Sequence, residues 1–240
     1  MKFSDIIFAN DLDELKEMLE VGKKLGFKRF CQIFDFKKFN EKIEEEVKEI
    51  GKELEIDLCI GVEVKTFNQI ETIRRKRKNF EFVIVRGGNV SLNRKALDTK
   101  EIDLIYNLPT KANSGFNHIM AKIARKNDVL IGINFRNLLE KNENERIKFI
   151  KALKLNLKLA KKYKAKIVVF SGAKNKFELK DPKILISFLV MNGFDLKEAK
   201  KCISKNLNEK IEENRKRLSE KWIMPGVRVI KWNWKFYLQV

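Results

Sequence analysis

The sequence has 240 residues and a formal net charge of +19, and its apolar fraction of 44% suffices for one barrel-sized α/β domain. Its single histidine, His118, disfavours an independent hydrolytic metal centre, because metal-dependent phosphoesterases hold their metal ions with several imidazoles. Three widely spaced cysteines without a CxxC pair disfavour a zinc knuckle or a redox motif, and no apolar run or signal peptide indicates a membrane, so we expect a cytoplasmic protein.

Short apolar runs alternate with amphipathic helical stretches over residues 1–195. The strand candidates lie at residues 6–8, 30–34, 58–64, 82–85, 104–108, 129–135 and 167–171. Between them apolar residues recur with helical spacing, as in the stripe from Ile147 to Ala160. Strands that alternate with helices, without a Gly/Pro-rich break, predict a parallel sheet. We favour an α/β fold of the TIM-like (β/α) barrel type over an open, doubly wound sheet.

Helix-capping residues support these boundaries. Asn40, Asn117 and Asp181, the last followed by Pro182, stand where helices should begin, and Asn192-Gly193 stands where the helix after the last strand should end. Residues 196–224 form two lysine-rich helical stretches, which we expect to pack on the outside of the barrel or on a partner.

Residues 225–240 form an aromatic tail in which apolar and polar positions alternate. This pattern indicates a strand or tail packed on its own domain. Stacking on RNA bases and strand addition to another protein are the alternatives.

The positive charge is unevenly distributed along the chain. Residues 1–60 carry 11 Lys/Arg against 15 Asp/Glu, a net charge of −4, whereas residues 61–240 carry 41 against 18, a net charge of +23. Lysine and arginine neutralise phosphates and release condensed counterions without reading base sequence. The sequence therefore predicts RNA or DNA as a partner of the part that follows residue 60.

Polar and cationic residues follow several of the predicted strands. Because the carboxyl ends of barrel strands meet at one rim, we expect six of these residues to converge there. They are Arg86, Asn89, Asn134, Arg136, Ser171 and Lys174. The backbone amides of Gly87 and Gly88 could approach a phosphate there, although paired glycines also serve tight turns. Glu63 is the main candidate acid at this rim, but no convincing general acid/base pair can be assembled.

Three further cationic groups have both a functional and a structural interpretation. Asn93 and Arg94 lie at a predicted helix start beside Arg86, and His118 shares a helix face with Lys122. The run 74–78 is the densest cationic block. Phosphate contact is one interpretation of each group; a capped helix start, a hydrogen-bonding histidine and a solvated helix end are the others.

An ordered set of short motifs runs through the first 195 residues. The set comprises Val85-Arg86-Gly87-Gly88-Asn89, Asn93-Arg94, Asp103-Leu104-Ile105, Asn117-His118 with Ala121-Lys122, Ile131-Gly132-Ile133-Asn134-Phe135-Arg136 and Phe170-Ser171-Gly172-Ala173. In this order and spacing, the set resembles the family of archaeal ribonuclease P protein component 3 and its eukaryotic counterpart. No single motif is specific to the family.

The resemblance implies a barrel related to the polymerase-and-histidinol-phosphatase fold that has lost its metal-binding histidines. Phe8-Ala9-Asn10-Asp11 indeed stands where a His-x-His pair would be expected. The implied partners are the catalytic RNA of ribonuclease P, the component 2 protein in a heterotetramer, other ribonuclease P proteins and, indirectly, precursor tRNA. The protein would bind no cofactor of its own, and Mg²⁺ would sit on the RNA. The resemblance implies RNA contacts at Arg86, Asn89, Arg94, His118, Lys122 and Arg136.

The sequence analysis thus predicts no catalytic or metal-binding residue but a set of RNA-binding ones. They are Arg86, Gly87, Gly88, Asn89, Asn93, Arg94, His118, Lys122, Asn134, Arg136, Ser171 and Lys174. Two alternatives remain open: a metal-dependent phosphoesterase that uses Glu63, His118 and other carboxylates at the barrel mouth, and a general binder of structured RNA.

Overall fold

Seven parallel strands form one sheet in which each strand pairs with its neighbours in chain order. The computed structural model describes residues 2–109, 114–219, 222–224 and 227–228. The strands are β1 (Phe3–Ile7), β2 (Phe27–Asp35), β3 (Asp57–Val64), β4 (Phe82–Arg86), β5 (Leu104–Tyr106), β6 (Leu130–Asn134) and β7 (Ile167–Phe170).

Ten helices accompany these strands in the described part of the chain. They are α1 (Leu12–Lys24), α2 (Glu41–Glu53), α3 (Phe67–Lys76), α4 (Val90–Asp98), α5 (His118–Asn127), α6 (Arg136–Leu139), α7 (Glu143–Lys162), α8 (Pro182–Met191), α9 (Leu196–Cys202) and α10 (Lys205–Leu218). An antiparallel hairpin of β8 (Trp222–Met224) and β9 (Val227–Arg228) follows α10. Within the described ranges, no helix is long and apolar enough to cross a membrane.

The strands lie where the sequence predicts them, but some of their ends differ. β2 begins earlier than predicted, at Phe27, whose side chain is fully buried. β5 ends at Tyr106 because Asn107 adopts a φ of 57°, which an extended strand cannot include. The predicted helix caps are confirmed: Asn40, Asn117 and Asp181 each accept a hydrogen bond from a backbone N–H of the first turn.

The sheet curves until its first and last strands meet, which closes it into a barrel. The N–H of Gly172 donates to the carbonyl of Ile6 at 3.2 Å, and the N–H of Phe8 donates to the carbonyl of Ala173 at 2.8 Å. Apolar side chains from the strands, among them Ile6 and Phe170, fill the interior. The TIM-like barrel prediction is confirmed, with seven strands in place of the usual eight.

A buried carboxylate joins the two edge strands. Asp5 on β1 accepts hydrogen bonds from the backbone N–H of Ser171 at 2.7 Å, from its hydroxyl at 2.5 Å and from the N–H of Ile6 at 2.9 Å. Burial raises the pKa of Asp5 to about 6, although these three hydrogen bonds oppose the shift. Asp5 therefore titrates at a higher pH in the folded chain than in the unfolded one.

The stability of the chain should consequently fall as pH rises through this range. Between the ordinary pKa of 3.8 and about 6, the folded state binds more protons than the unfolded state does. The free energy of unfolding falls by at most about 3 kcal/mol over this range. The substitution Asp5→Asn keeps an oxygen that accepts from the N–H groups of Ile6 and Ser171, and it removes the carboxyl group that titrates. Urea unfolding of both proteins from about pH 4 to about pH 7 should show the wild type losing stability relative to the variant; parallel profiles would contradict this.

The amino-terminal end of the barrel is closed by α10. Leu207 and Ile211 lie four residues apart on one helix face and are fully buried among the interior side chains of the barrel. Of the residues 196–224, which we expected to pack on the barrel or on a partner, α10 thus lies on the barrel itself, and its apolar face joins the barrel core at this end.

Ion pairs fasten α10 to the starts of β2 and β3. Arg29, which is 2% exposed, pairs with Glu212 on α10 and donates from Nε to Asp57 at 2.7 Å. Arg215 on α10 donates to the other oxygen of Asp57 at 2.8 Å. Burial alone would raise the pKa of Asp57, but hydrogen bonds from Lys2, Arg29 and Arg215 outweigh it and hold the pKa well below its usual range.

Candidate functional site

A pocket of about 410 Å³ opens at the carboxyl ends of the strands, which we call the mouth pocket. Four of the residues predicted for this rim line it: Arg86, Asn134, Arg136 and Lys174. Lys38 adds another cation. Ligands of (β/α) barrels bind at this end, and the lining cations and amides suit an anion.

The cations of the mouth pocket differ in how freely they can bind a ligand. Arg86 and Lys174 are exposed and have no acidic partner within the described residues. Arg136 is only 20% exposed at its side chain and lies 2.7 Å from Glu140 and 2.8 Å from Glu178. Arg86 and Lys174 are therefore available to phosphates, whereas Arg136 mainly holds the surrounding loops together.

The two glycines after Arg86 do not offer their amides to a ligand. The N–H of Gly87 donates to the carbonyl of Tyr106 at 2.8 Å, and the N–H of Gly88 donates to Oδ1 of Asn93 at 3.1 Å. The expectation that these amides approach a phosphate is therefore wrong, since both donors are already used. Glycine is needed at position 87 for another reason: a Cβ there would lie 2.3 Å from Oδ1 of Asn93.

Asn93 and Ser171 are buried and cannot contact RNA as predicted. Nδ2 of Asn93 donates to the carbonyls of Leu108 at 3.1 Å and Gly115 at 2.9 Å, and the residue has no exposed surface. Ser171 is 1% exposed and holds Asp5. Asn93 joins the loops that follow β4 and β5, and Ser171 closes the barrel, so both support the rim from beneath.

Asn89 and Arg94 lie beside the mouth pocket and do not line it. Oδ1 of Asn89 caps α4 by accepting from the N–H groups of Ser91 at 2.9 Å and Leu92 at 3.3 Å. Arg94 is exposed on α4 and has no acidic partner among the residues described. Arg86 directly precedes the loop that leads to α4, so the free cations continue from the pocket onto this helix.

A second cationic surface lies on α5, which we call the α5 surface and define by Lys122, Arg125, Lys126 and Tyr163. The ammonium of Lys122 lies 5.6 Å from the ring centre of Tyr163, and the ring of His118 lies 6.3 Å from it. His118 and Lys122 share a helix face, as the spacing predicts. Sequence analysis missed Tyr163, because only the packing of α5 against α7 brings this ring beside His118.

Glu63 is not placed for acid/base catalysis with His118. The hydroxyl of Tyr106 donates to one carboxylate oxygen of Glu63, and the ammonium of Lys65 lies 2.9 Å from the other. Burial and the charge of Glu63 raise the pKa of Tyr106. His118 does not line the mouth pocket, and within the described ranges no group of three or more His, Cys, Asp or Glu residues could hold a metal ion. The residues at the mouth do not fit the metal centre of a phosphoesterase.

The dense cationic run 74–78 has mixed roles. Arg77 lies 2.7 Å from Asp103 and donates to the carbonyl of Glu101 at 2.9 Å, and Arg74 lies 3.0 Å from Glu71. Arg75, Lys76 and Lys78 are exposed and have no acidic partner in the described parts of the chain. Arg77 is thus a structural residue, and only part of the run is free to bind an anion.

Comparison with known proteins identifies the family to which this chain belongs. The family model described as RNase P subunit p30 matches residues 3–219. The chain belongs to the RNase P subunit p30 family. It is 30% identical to ribonuclease P protein component 3 of Methanococcus maripaludis (strain C7) over 77% of this chain and 80% of that one. Identity to the protein of that name from Methanocaldococcus jannaschii is 30% over 73% of this chain and 78% of that one.

Two solved structures share the fold of this chain. The chain superposes on a chain in the cryo-EM structure of archaeal ribonuclease P with mature tRNA, with a TM-score of 0.85, 26% identity and coverage of 96% of this chain and 99% of that one. A crystal structure of an uncharacterised protein gives a TM-score of 0.60 at 10% identity, covering 94% of this chain and 77% of that one, which shows a similar fold.

The p30 resemblance implies six RNA-contacting positions, and they fall on two surfaces. Arg86 and Arg136 line the mouth pocket, and Asn89 and Arg94 follow it onto α4. His118 and Lys122 lie by Tyr163 at the α5 surface. All six are at least partly exposed, whereas Asn93 and Ser171 are buried.

Proposed function

We propose that this chain is a non-catalytic protein subunit of ribonuclease P, which binds and stabilises the catalytic RNA that removes 5′ leaders from precursor tRNA in the cytoplasm. The observation that carries the proposal is the similarity, over 96% of this chain, to a chain of archaeal ribonuclease P with mature tRNA. Membership of the RNase P subunit p30 family supports it. Precursor tRNA is then reached through the assembled ribonucleoprotein.

The exposed cations supply a physical mechanism for this role. Arg86, Lys174 and Arg94 are free of acidic partners within the described residues, and Lys122 and Arg125 extend the positive surface along α5. Neutralising RNA phosphates releases counterions and lets RNA helices pack more closely, so less Mg²⁺ is needed for an active fold. Such a function requires no catalytic side chain.

The chemistry belongs, in this proposal, to the RNA and the Mg²⁺ that it binds. The mouth pocket supports this division, because Glu63 is occupied by Tyr106 and Lys65 and has no imidazole beside it. A metal-dependent phosphoesterase would need several metal ligands at that place.

Binding selectivity tests the proposal against the general RNA binder. We expect the chain to bind the catalytic RNA of ribonuclease P at least about tenfold more tightly than an unrelated structured RNA of equal length, since a dedicated subunit fits one RNA shape. Filter binding at several salt concentrations measures both affinities. Equal affinities with equal salt dependence would contradict a dedicated subunit.

The component 2 protein, in a heterotetramer, is the proposed protein partner, and α8 offers it a surface unlike the RNA-binding one. Ile184 and Met191, two helical turns apart on one face, are 48% and 83% exposed, and Val190 beside them is 42% exposed. Phosphates gain little from such an apolar face, whereas a protein partner can bury it. Glu17 of α1 lies 3.2 Å from Lys176, in the segment that leads from β7 to α8.

Charge on this face should break the protein complex without affecting RNA binding. We expect Ile184→Glu with Met191→Glu to weaken association with the component 2 protein at least about tenfold, because two apolar contacts are lost. Size-exclusion chromatography with light scattering measures the complex. Leu155→Glu, at a residue of α7 that is 48% exposed, is the matched control. An intact heterotetramer with the doubly substituted chain would place component 2 elsewhere.

A further inference from the structure

Another pocket, of about 490 Å³, lies at the amino-terminal end of the barrel, away from the mouth pocket. We call it the base pocket. The end of α10, the end of α5 and the start of the β8–β9 hairpin surround it. The residues that matter below are Asn214, Trp222, Lys78, Lys100 and Lys126. Its volume is that of a small-ligand site.

Asn214 carries a side-chain amide without a partner among the described residues. The residue is 1% exposed, and within the described ranges neither Oδ1 nor Nδ2 has a hydrogen-bond partner. Asn208 on the same helix shows the usual situation, since its Oδ1 accepts from Ser4 at 2.7 Å and its Nδ2 donates to the carbonyl of Lys2 at 2.7 Å. A buried amide without partners lowers stability, so Asn214 is explained best by a group that joins it on binding.

The chemistry around Asn214 specifies the group that fits. A side-chain amide offers one donor and one acceptor side by side, the pattern that pairs with the edge of adenine. The partly buried indole of Trp222 gives a surface on which a base can stack. Lys78, Lys100 and Lys126 are exposed and have no acidic partner within the described ranges, so they are free to hold a phosphate. The lining also contains Glu101 and Asp128, and the charge of Asp128 is already paired with Lys166 and Lys210.

The base pocket is also continuous with the α5 surface. Lys126 belongs to both, and α5 spans about 15 Å from its start at His118 to its end beside the base pocket. A single RNA strand that follows Lys122 and Arg125 along this helix therefore arrives at Asn214 and Trp222.

We propose that the base pocket holds one unstacked nucleotide, preferably adenosine, of an RNA strand that runs along α5. The inference rests on the proposed RNA-binding function but concerns a different end of the barrel from Arg86. Asn214 is 1% exposed in the free chain, so the base reaches its amide through a local rearrangement of the side chains around it. Trp222 belongs to the same pocket and lies on β8, which packs on α10.

The test measures binding of a fluorescent single-stranded oligoadenosine to the full chain. Asn214→Leu should weaken binding about tenfold, and Trp222→Ala by a similar factor, because each loses its contact with the base. The thermal unfolding midpoint of Asn214→Leu should equal or exceed that of the wild type, since an unpartnered amide is removed. Asn79→Leu, at an exposed position, is the matched control and should bind like the wild type.

An abasic strand of equal length separates base contact from phosphate contact. It should bind the wild type and Asn214→Leu alike, and more weakly than oligoadenosine binds the wild type. Equal affinity of wild type and Asn214→Leu for oligoadenosine would overturn the base pocket while leaving the proposed function intact, provided the wild type still binds the catalytic RNA. Failure of the wild type to bind that RNA would instead overturn the proposed function.

Discussion

Replacing Arg86 and Arg94 together by glutamate should weaken binding to the catalytic RNA of ribonuclease P about a hundredfold at moderate salt. Both side chains are exposed and have no acidic partner in the described part of the chain, so the change breaks no internal ion pair. The double substitution removes up to two contacts with RNA phosphates, and the new carboxylates repel those phosphates. The slope of log affinity against log salt should fall by about two. Reconstituted cleavage of precursor tRNA should need more Mg²⁺.

A double substitution with the same charge change controls for net charge. Lys183→Glu with Lys197→Glu alters exposed lysines on α8 and α9, neither of which lines the mouth pocket. This control should reduce RNA affinity much less than the rim substitution does, because position matters more than total charge once contacts form. Equal losses from both pairs would show that the rim of Arg86 and Arg94 is not a specific RNA-binding surface.

Asp57→Asn should reduce the free energy of unfolding by about 3 kcal/mol, because it breaks the buried end of an ion-pair network. Asp57 holds Lys2, Arg29 and Arg215, and Arg29 is 2% exposed, so its buried charge would lose one of its two carboxylate partners. Urea unfolding near neutral pH measures the loss. α10 should loosen first, since this network fastens it to the barrel.

The pH dependence adds an independent readout for Asp57. Its folded pKa is lowered, so its contribution is fully present above the unfolded pKa of about 4 and is lost as pH falls below it. The pH dependence of stability is thus opposite for the two residues: the contribution of Asp57 is lost as pH falls, whereas that of Asp5 is lost as pH rises. Glu53→Gln removes an exposed ion pair with Lys16 and should change stability little at any pH. Similar unfolding curves for Asp57→Asn and Glu53→Gln would contradict the structural role of the network.

Local sequence patterns were enough to predict the barrel but not its closure. Alternating apolar runs located the seven strands, and Asn40 and Asn117 marked helix starts through hydrogen bonds within one turn. Leu207 and Ile211 look like any apolar pair on a lysine-rich helix. Only the three-dimensional arrangement shows that they fill the amino-terminal end of the barrel.

The candidate site was predictable to the extent that strand ends determine it. Arg86 and Asn134 end parallel strands and Lys174 follows one, so their meeting at the mouth pocket follows from topology. The burial of Asn93 and the use of the Gly88 amide depend on which donors and acceptors meet across loops distant in sequence. The same holds for the unpartnered amide of Asn214, because a missing hydrogen bond leaves no pattern in the sequence.

Sequencing the RNA that co-purifies with the tagged chain from its native cells at moderate salt tests the central claim most directly. The account predicts one abundant structured RNA that, with Mg²⁺ and the co-purified proteins, removes 5′ leaders from precursor tRNA. A heterogeneous pool of RNA, or no RNA at all, would contradict a dedicated ribonuclease P subunit.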